Sequence, residues 1–273
     1  MTARIFIGDR QVDAIPEDSR GLAYGDGVFE TMRMHRGVVH WWDAHWRRLA
    51  QGAARFRIPL PDASMARDHA AQLCGNANGV LKLMLTRGAG ARGYAPGPGA
   101  APLWLLSQHS LPARPRTDGL ILRWCDTRLA IQPALAGLKH CNRLEQVIAR
   151  GEWQDNGIDD GLMCDSEGFV VSATSANLFV LRDGRWLTPA VDRSGVAGIC
   201  RAWCLQETTA HETRLTATDV ESSDAVFLCN AVRGILPVAR LHARAWSSHP
   251  DIADLQARLA RAHPAFASDR EVS

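Results

Sequence analysis

Two lysines, Lys82 and Lys139, stand against twenty-nine arginines in this chain of 273 residues. A primary amine can lose its proton and attack a carbonyl, whereas a guanidinium stays protonated at any working pH. Each lysine is therefore a candidate Schiff-base nucleophile. Lys82 lies in the alternating run 80–86, which is typical of a strand, and we interpret it as a solvated strand lysine. Lys139 precedes a predicted helix, beside Gly137 and several polar side chains. This position alone does not distinguish a catalytic lysine from a structural one.

A candidate anion site lies at 194–201, where glycines lead into a predicted helix. The first N–H groups of a helix lack intrahelical partners and lie at the positive end of its dipole, so they bind anions. Asn230 and Ala231, at the end of a predicted strand, can add N–H donors, and Arg48 can supply a cation. A glycine before a helix can equally serve turn geometry alone.

A second glycine pattern, Gly88 to Gly93, has the spacing of a dinucleotide-binding loop directly after a strand. Such a loop must open a helix, and Pro96 and Pro98 forbid a helix at this place. We interpret the segment as a flexible loop at a ligand site, with Arg92 and Tyr94 as its functional side chains.

Composition excludes several classes of protein. The chain is 46% hydrophobic and 22% charged with a formal charge of +2, which argues against nucleic-acid binding. The N-terminus turns polar too soon for a signal peptide, and no run of eighteen apolar residues could span a membrane. Seven scattered cysteines favour reduced thiols in the cytoplasm. Cys200 and Cys204 share a helical face but no ligand pair follows them, so we predict no metal site.

Strands and helices are mixed along the whole chain, which predicts an α/β (α+β) fold. A Pro- and Gly-containing linker at 111–119 separates a smaller N-terminal domain, 1–110, from a larger C-terminal domain, 120–273, and the cleft between them is the expected ligand site. Predicted strands are 5–7, 28–34, 80–86, 103–107, 120–124, 161–165, 170–172, 177–182, 185–188 and 225–229; predicted helices are 43–56 (capped by Asp43), 64–74, 143–156, 199–210 and 251–263.

Seven groups of residues, in order and suitably spaced, together resemble the fold-type IV pyridoxal-phosphate enzymes. The lysine segment is similar to the version found in the aminodeoxychorismate lyases of that family. The groups are Tyr24–Thr31, His45–Leu49, Thr86–Gly88 with Arg92–Tyr94, Leu138–Gln146, Ser175–Phe179, Gly195–Arg201, and Cys229–Ala231 with Leu236–Val238.

The resemblance implies a two-domain fold-type IV architecture and a reaction of folate biosynthesis, the conversion of 4-amino-4-deoxychorismate to 4-aminobenzoate and pyruvate. Lys139 would hold pyridoxal 5'-phosphate as a Schiff base, then remove the ring proton and protonate the departing enolpyruvate. A lysine with an ordinary pKa of ~10.4 is a poor base at neutral pH, so we expect burial near cations.

The same resemblance implies the residues that bind the cofactor and the substrate, and a homodimer with residues of both subunits near each site. The implied cofactor-binding residues are Arg48, Gly198, Ile199, Cys200, Asn230 and Ala231; the implied substrate contacts are Arg92, Tyr94 and Arg143, with Tyr24 and Glu30 reaching across the dimer interface. Trp41, Trp42 and Trp46 would fit burial at that interface or in the core.

One position departs from the family pattern. Family members usually have a glutamate five residues before Asn177, where it keeps the pyridine nitrogen protonated, and this chain has Ser172. The Ser172 hydroxyl can bind the cofactor by a hydrogen bond to the pyridine nitrogen but cannot hold that nitrogen as a pyridinium, so the ring becomes a weaker electron sink. Elimination with aromatisation should tolerate this better than transamination. Alternatively, Asp165 or Glu167 reaches the nitrogen from the preceding turn.

Two other functions remain open on sequence alone. One is an aminotransferase for D- or branched-chain amino acids with the same fold. The other is a catalytically silent relative that binds the cofactor or a partner protein. Lys139 and Arg48 argue against a silent protein, and Ser172 keeps the possibility open.

Overall fold

The computed structural model describes residues 3–97, 99–113 and 115–267. The chain divides into two compact units. The first comprises Met1–Pro112 and Leu138–Asn142, and the second comprises Ala113–Gly137 and Arg143–Ser273. The linker predicted at 111–119 and the domain bounds drawn from it stay predictions, and Arg114 lies outside the described residues. Both units mix helices with strands, so the predicted α/β class is confirmed.

The first unit is built on a six-stranded sheet in which neighbouring strands are antiparallel, in the order β2-β1-β6-β5-β3-β4. Its strands are β1 (Ala3–Ile7), β2 (Arg10–Val12), β3 (Gly27–His35), β4 (Val38–Val39), β5 (Gly79–Thr86) and β6 (Leu103–His109); its helices are α1 (Arg20–Tyr24), α2 (Trp42–Phe56) and α3 (Ala63–Cys74).

Strand β3 shows how this unit forms its core. Its buried positions alternate, and Val28, Met32 and Met34 join a cluster with Leu49 of α2 and residues of α3. Alternation of this kind is what a strand with one covered face requires. Glu30 occupies the same face and is also buried, so β3 places a carboxylate at a core position. Trp42 and Trp46 pack in or against this core, stacked 6.0 Å apart.

The second unit contains a nine-stranded mixed sheet in the order β12-β11-β10-β13-β14-β7-β8-β9, with β15 paired to β14. The strands are β7 (Leu120–Trp124), β8 (Asp160–Cys164), β9 (Val170–Ala173), β10 (Asn177–Arg182), β11 (Arg185–Pro189), β12 (His211–Thr213), β13 (Ala225–Asn230), β14 (Gly234–Leu241) and β15 (Arg244–Ala245). The helices are α4 (Leu144–Arg150), α5 (Ile199–Thr208), α6 (Ala217–Glu221) and α7 (Pro250–Ala262), and a 3₁₀ turn covers Pro264–Phe266. The buried residues of this sheet, from Leu120 to Trp246, form its core.

Two of the predicted elements need correction. Asp43 does not cap α2: the helix begins at Trp42 after Trp41 in the left-handed region, and Asp43 lies in the first turn, paired with Arg67. The helix predicted at 143–156 spans only Leu144–Arg150 and ends at Gly151. The buried Trp153 then starts an irregular segment, where its indole donates to the carbonyl of Ile158.

The loop after β5 agrees with the rejection of a dinucleotide site. Strand β5 ends at Thr86, and the next element along the chain is β6 at Leu103, so no helix opens at Gly88 among the described residues. Pro98 lies outside those residues. A search of the described part of the chain finds no helix with the length and apolar character needed to cross a membrane.

Candidate active site

Lys139 lies on an extended segment that pairs with the start of β3. The N–H of Phe29 donates to the carbonyl of Lys139 at 2.9 Å, and the N–H of Cys141 donates to the carbonyl of Gly27 at 2.9 Å. The Lys139 Nζ lies 4.4 Å from the centroid of the Phe29 ring. This pairing fixes the backbone of Lys139 to the first unit, and its side chain remains partly exposed.

Lys82 contacts the same aromatic ring. It faces Thr31 across the β3–β5 pair, and its Nζ lies 5.1 Å from the Phe29 centroid. Its side chain is half-buried. Both lysines of the chain therefore hold a cation–π contact with Phe29.

A buried cluster of charged side chains, Glu30, His45 and Arg48, joins β3 to α2. Arg48 donates from Nε to Glu30 Oε1 at 2.8 Å and from Nη2 to Glu30 Oε2 at 2.5 Å. His45 Nδ1 lies 2.6 Å from Glu30 Oε2. Glu30 and His45 are each 1% exposed, and Arg48 is 9% exposed. Positions 45 and 48 are one helical turn apart, so α2 directs both side chains to one carboxylate.

The electrostatics of this cluster favour an ionised Glu30. Burial alone would raise the pKa of Glu30, but the charge of Arg48 and hydrogen bonds from Arg48 and His45 lower it from 4.5 to about 2. Burial lowers the pKa of His45, and the charges of Arg48 and Lys139 lower it further against the opposing effect of Glu30. His45 Nε2 is buried and has no hydrogen-bond partner among the described residues.

The candidate anion site of the second unit lies at the start of α5. Gly198 precedes the helix with extended backbone, and no side chain caps the first turn. The Asn177 side chain donates to the carbonyl of Val196 at 2.9 Å, and a Cβ on Gly198 would lie 2.1 Å from Asn177 Oδ1. The approach of Asn177 therefore requires glycine here. The first N–H groups of α5, at Ile199 and Cys200, keep their donor capacity.

The turn after β13 is held by its own side chain. Asn230 Oδ1 accepts from the N–H groups of Val232 at 3.0 Å and Arg233 at 2.8 Å, and Nδ2 donates to the carbonyl of Ser175 at 3.3 Å. The Asn230 side chain thus shapes the turn that contains Ala231.

Cys229, immediately before this turn, completes a group of thiols that sequence spacing did not predict. The sulfur atoms of Cys200, Cys204 and Cys229 lie within 4.8 Å of one another, and all three residues are buried. The hydrogen bond that Cys200 donates to Cys204 raises the pKa of Cys200, and burial raises the pKa values of Cys204 and Cys229. The three thiols, two on α5 and one on β13, are therefore neutral. All seven cysteines of the chain are free.

Ser172 lies on β9, opposite Met163 of β8, between the buried Val171 and Ala173. The two carboxylates considered as substitutes for the usual glutamate have other partners. Glu167 binds Arg193 through both oxygens, at 2.5 and 2.6 Å. Asp165 accepts from the N–H groups of Glu167 and Phe169, both at 3.0 Å. Both acids are therefore committed to the turn between β8 and β9 and its surroundings.

The loop with Arg92 and Tyr94 is anchored by Arg20, a residue that the sequence did not single out. Arg20 is 4% exposed and donates to the carbonyls of Gly93 and Tyr94, each at 2.8 Å. Its Nε donates to Asp26 at 2.9 Å. The Tyr24 hydroxyl accepts from the N–H of Gly93 at 3.2 Å. Tyr94 and Arg92 are exposed on this anchored loop.

Arg143 occupies the residue before α4 and is half-buried. Together, the first unit brings Lys139, Glu30, Arg48 and the loop at 92–94 onto one compact framework, and the second unit carries Arg143, Ser172, the start of α5 and the turn at 230–231.

Comparison with known proteins identifies the family. The model of the family described as Amino-transferase class IV matches residues 27–241. The chain belongs to this family. The class IV enzymes use pyridoxal 5'-phosphate, so the cofactor expected from the sequence is confirmed.

The relatives of this class IV chain include lyases and aminotransferases. The crystal structure of 4-amino-4-deoxychorismate lyase from Pseudomonas aeruginosa matches with a TM-score of 0.87 and 39% identity, covering 94% of this chain and 98% of that one. Aminodeoxychorismate lyase of Vibrio harveyi is 35% identical, over 84% of this chain and 88% of the relative. D-Alanine aminotransferase of Bacillus licheniformis is 24% identical, over 85% of each chain.

The residues of this class IV chain fit the cofactor of its family. Lys139 is an amine, and the first turn of α5 has no side-chain cap. Near Arg48, the buried His45 Nε2 has no hydrogen-bond partner in the part of the chain that the structure describes. These groups suit an aldehyde and a phosphate. Sequence reasoning missed Arg20 and assigned no role to Asn177 or His45, because each acts through contacts with residues distant in sequence.

Proposed function

We propose that this chain converts 4-amino-4-deoxychorismate to 4-aminobenzoate and pyruvate, the aminodeoxychorismate lyase reaction of folate biosynthesis. The observation that carries the proposal is the likeness to the Pseudomonas aeruginosa lyase, 39% identical over 94% of this chain. Aminotransferase relatives match over similar lengths at lower identity, for example 24% for the D-alanine enzyme. They fit the alternative function only.

Lys139 is the proposed catalytic residue. Bound pyridoxal phosphate supplies an aldehyde that condenses with amines and a ring that accepts electrons. The Lys139 amine removes the proton from the substrate ring carbon that bears the nitrogen. The C–O bond to the enolpyruvyl group then breaks as the ring becomes aromatic, and Lys139 returns the proton to the departing enolpyruvate, which becomes pyruvate. Atoms and electrons balance with no oxidant.

The cofactor-binding residues that the resemblance implies remain proposals, unit by unit. In the first unit the proposed phosphate ligand is Arg48. In the second unit the proposed donors are the backbone N–H groups of Ile199 and Cys200 after Gly198, and those of Asn230 and Ala231. Glu30 was expected near substrate. It is 1% exposed and bound to Arg48 and His45, so we propose that it positions Arg48 instead.

The two substrate carboxylates need donors, and Arg92, Tyr94 and Arg143 remain the proposed contacts, with Tyr24 as a support of their loop. Exposure of Arg92 and Tyr94 on a loop held by Arg20 supports this role, since the loop backbone is fixed while the side chains stay available. Guanidinium groups pair well with carboxylates in bidentate geometry.

We also propose a cytoplasmic homodimer. The seven free thiols favour a reducing compartment. Helix α4 exposes three apolar side chains on one face: Leu144 is 73% exposed, Val147 63% and Ile148 59%. Exposing three neighbouring aliphatic side chains to water is unfavourable in free energy. Packing this face of α4 against a second copy of the chain would bury them.

The decisive experiment measures 4-aminobenzoate release from 4-amino-4-deoxychorismate by the purified holoenzyme. We expect product from the wild type and from Lys82→Arg, the control at the second lysine, and none from Lys139→Ala. Borohydride reduction followed by peptide mapping should place the cofactor on Lys139. Failure to form product, with conversion of the cofactor to its amine form by D-alanine or a branched-chain amino acid, would replace the lyase with an aminotransferase.

A further inference from the structure

The buried pair of Arg48 and Glu30 creates a charge problem for the proposed phosphate site. Two hydrogen bonds join the guanidinium to the carboxylate, and the pKa of Glu30 is about 2, so the acid is ionised at any working pH. The positive charge of Arg48 is therefore balanced before any anion arrives. A phosphate monoester, which carries ≈ −1.5 to −2 charge near neutral pH, meets a pair with no net charge.

Burying an anion without a compensating charge is costly in a protein interior. A further positive charge close to Arg48 would resolve the imbalance.

His45 is the group placed to supply it. Glu30 is ionised and can only accept, so His45 Nδ1 must carry a hydrogen and donate to Glu30 Oε2 across 2.6 Å. This leaves Nε2 as the second ring nitrogen, buried and without a hydrogen-bond partner among the described residues. In the neutral ring Nε2 is an acceptor and repels an anion, whereas in the cation it donates.

We propose that His45 takes up a proton when a phosphate group binds beside Arg48, so that Glu30, the His45 cation and Arg48 together carry one positive charge toward the anion. The inference rests on the proposed cofactor phosphate of this chain and not on the lyase reaction.

The charges around His45 explain why the proton arrives with the ligand. Glu30 of β3 favours the cation, while Arg48 of α2, Lys139 and burial oppose it, and the net effect lowers the pKa of His45. A bound dianion adds a second acidic neighbour and offsets the two basic ones. Protonation and anion binding are then linked, and each favours the other.

Calorimetry on the apoenzyme tests this directly. The probe is pyridoxine 5'-phosphate, which has the phosphate but no aldehyde and therefore forms no Schiff base with Lys139. Binding is measured at about pH 8, where a phosphomonoester with a second pKa of ~6 is already dianionic. Titrations in two buffers with different heats of ionisation give the number of protons taken up on binding.

Two substitutions separate the roles of the two ring nitrogens. His45→Asn keeps an N–H near Nδ1 for Glu30, and His45→Gln keeps one near Nε2 for the anion; neither can accept the proton. We expect proton uptake to fall by close to one in both variants relative to wild type. Affinity should fall on the order of tenfold or more in His45→Asn and less in His45→Gln, since only the former loses the donor to the anion.

Equal uptake in wild type and His45→Gln would overturn the inference, because Lys139 and the ligand ring are the same in both proteins. If the variants fail to fold, a measurement on wild type alone can still refute the inference. Inorganic sulfate is a dianion throughout the neutral range, so its binding reports only protein protons. Sulfate affinity should fall as the pH rises, and a flat profile would refute proton uptake.

The outcomes also separate this inference from the proposed reaction. If 4-aminobenzoate is released normally but proton uptake does not depend on His45, the inference about His45 is wrong and the proposed reaction stands. His45-dependent uptake without product removes the lyase and leaves the anion site intact.

Discussion

At the scale of single residues, Glu30 is a charged side chain at a position of β3 that faces the apolar core. Strand β3 would place an apolar residue there, between Val28 and Met32. The acid is stable because Arg48 and His45 reach it from one face of α2. Removing one partner of such a buried pair leaves an uncompensated charge, which typically costs about 3–5 kcal/mol.

The stability of the protein should therefore depend on pH through Glu30. Its pKa is lowered from 4.5 to about 2 in the folded state. The ionised Glu30 stabilises the folded state fully above pH 4.5, its pKa in the unfolded state, and this stabilisation is lost as the pH falls toward 2. The free energy of unfolding should fall by about 3 kcal/mol over this interval. Urea unfolding across this range should show a steeper loss in wild type than in Glu30→Gln. Parallel profiles for the two proteins would contradict the assignment.

Ser172 gives a second prediction at this scale. The two nearby carboxylates, Asp165 and Glu167, are bound to other groups and are not available to replace the usual glutamate. Ser172→Glu should strengthen the electron sink and raise the rate at which D-alanine or L-leucine converts the bound cofactor to its amine form, by tenfold or more if one charge-assisted hydrogen bond is gained. Single-turnover absorbance measures this. Ser172→Ala is the control, and unchanged transamination in Ser172→Glu would count against the idea.

At the scale of elements, the start of α5 depends on the absence of a side chain at Gly198. A Cβ would lie 2.1 Å from Asn177 Oδ1, so Gly198→Ala must displace Asn177 or the helix start. We expect a loss of about 1–3 kcal/mol in the free energy of unfolding and weaker binding of pyridoxine 5'-phosphate. Gly97→Ala, in open space with nothing within 4 Å, is the matched control. Equal effects of the two substitutions would show that Asn177 does not constrain the site.

Local pattern predicted those elements whose signals are local. The strands at 120–124 and 177–182 were predicted with the bounds that the structure has, because each contains a short apolar run of strand length. Strand β14 was missed because it contains Pro237, and proline argues locally against a strand. The strand forms nevertheless, because its residues pair with Phe227 of β13 and with Leu120 of β7.

The candidate site was predictable in its chemistry and not in its contacts. Residue type made Lys139 one of two candidate Schiff-base nucleophiles, and its proposed role comes from the family resemblance. The glycines at 195 and 198 predicted the helix start that the structure has at Ile199. The partners of Arg48 did not follow, since Glu30 lies eighteen residues away. Arg20 reaches Gly93 over seventy-three residues, a separation at which sequence pattern carries no signal.

At the scale of the whole molecule, the exposed face of α4 predicts self-association. A double substitution, Leu144→Glu with Ile148→Glu, should shift the protein from dimer to monomer in light scattering, since charges would be buried at the interface. Val38→Glu, at a residue 60% exposed on β4, is the control and should leave the dimer unchanged. A dimer that persists in the double variant places the interface elsewhere.

The first unit is not continuous along the chain: it ends at Pro112 and resumes for Leu138–Asn142. During synthesis on the ribosome, the backbone groups of Gly27 and Phe29 at the edge of β3 stay unpaired until Lys139 and Cys141 have been made. An unpaired strand edge can associate with other chains during this interval. A gene divided at the predicted linker would separate Lys139 from Phe29 and Arg48 on different polypeptides. Neither half would then hold the amine in its place, and reassembly of the two fragments would be a requirement for binding the aldehyde.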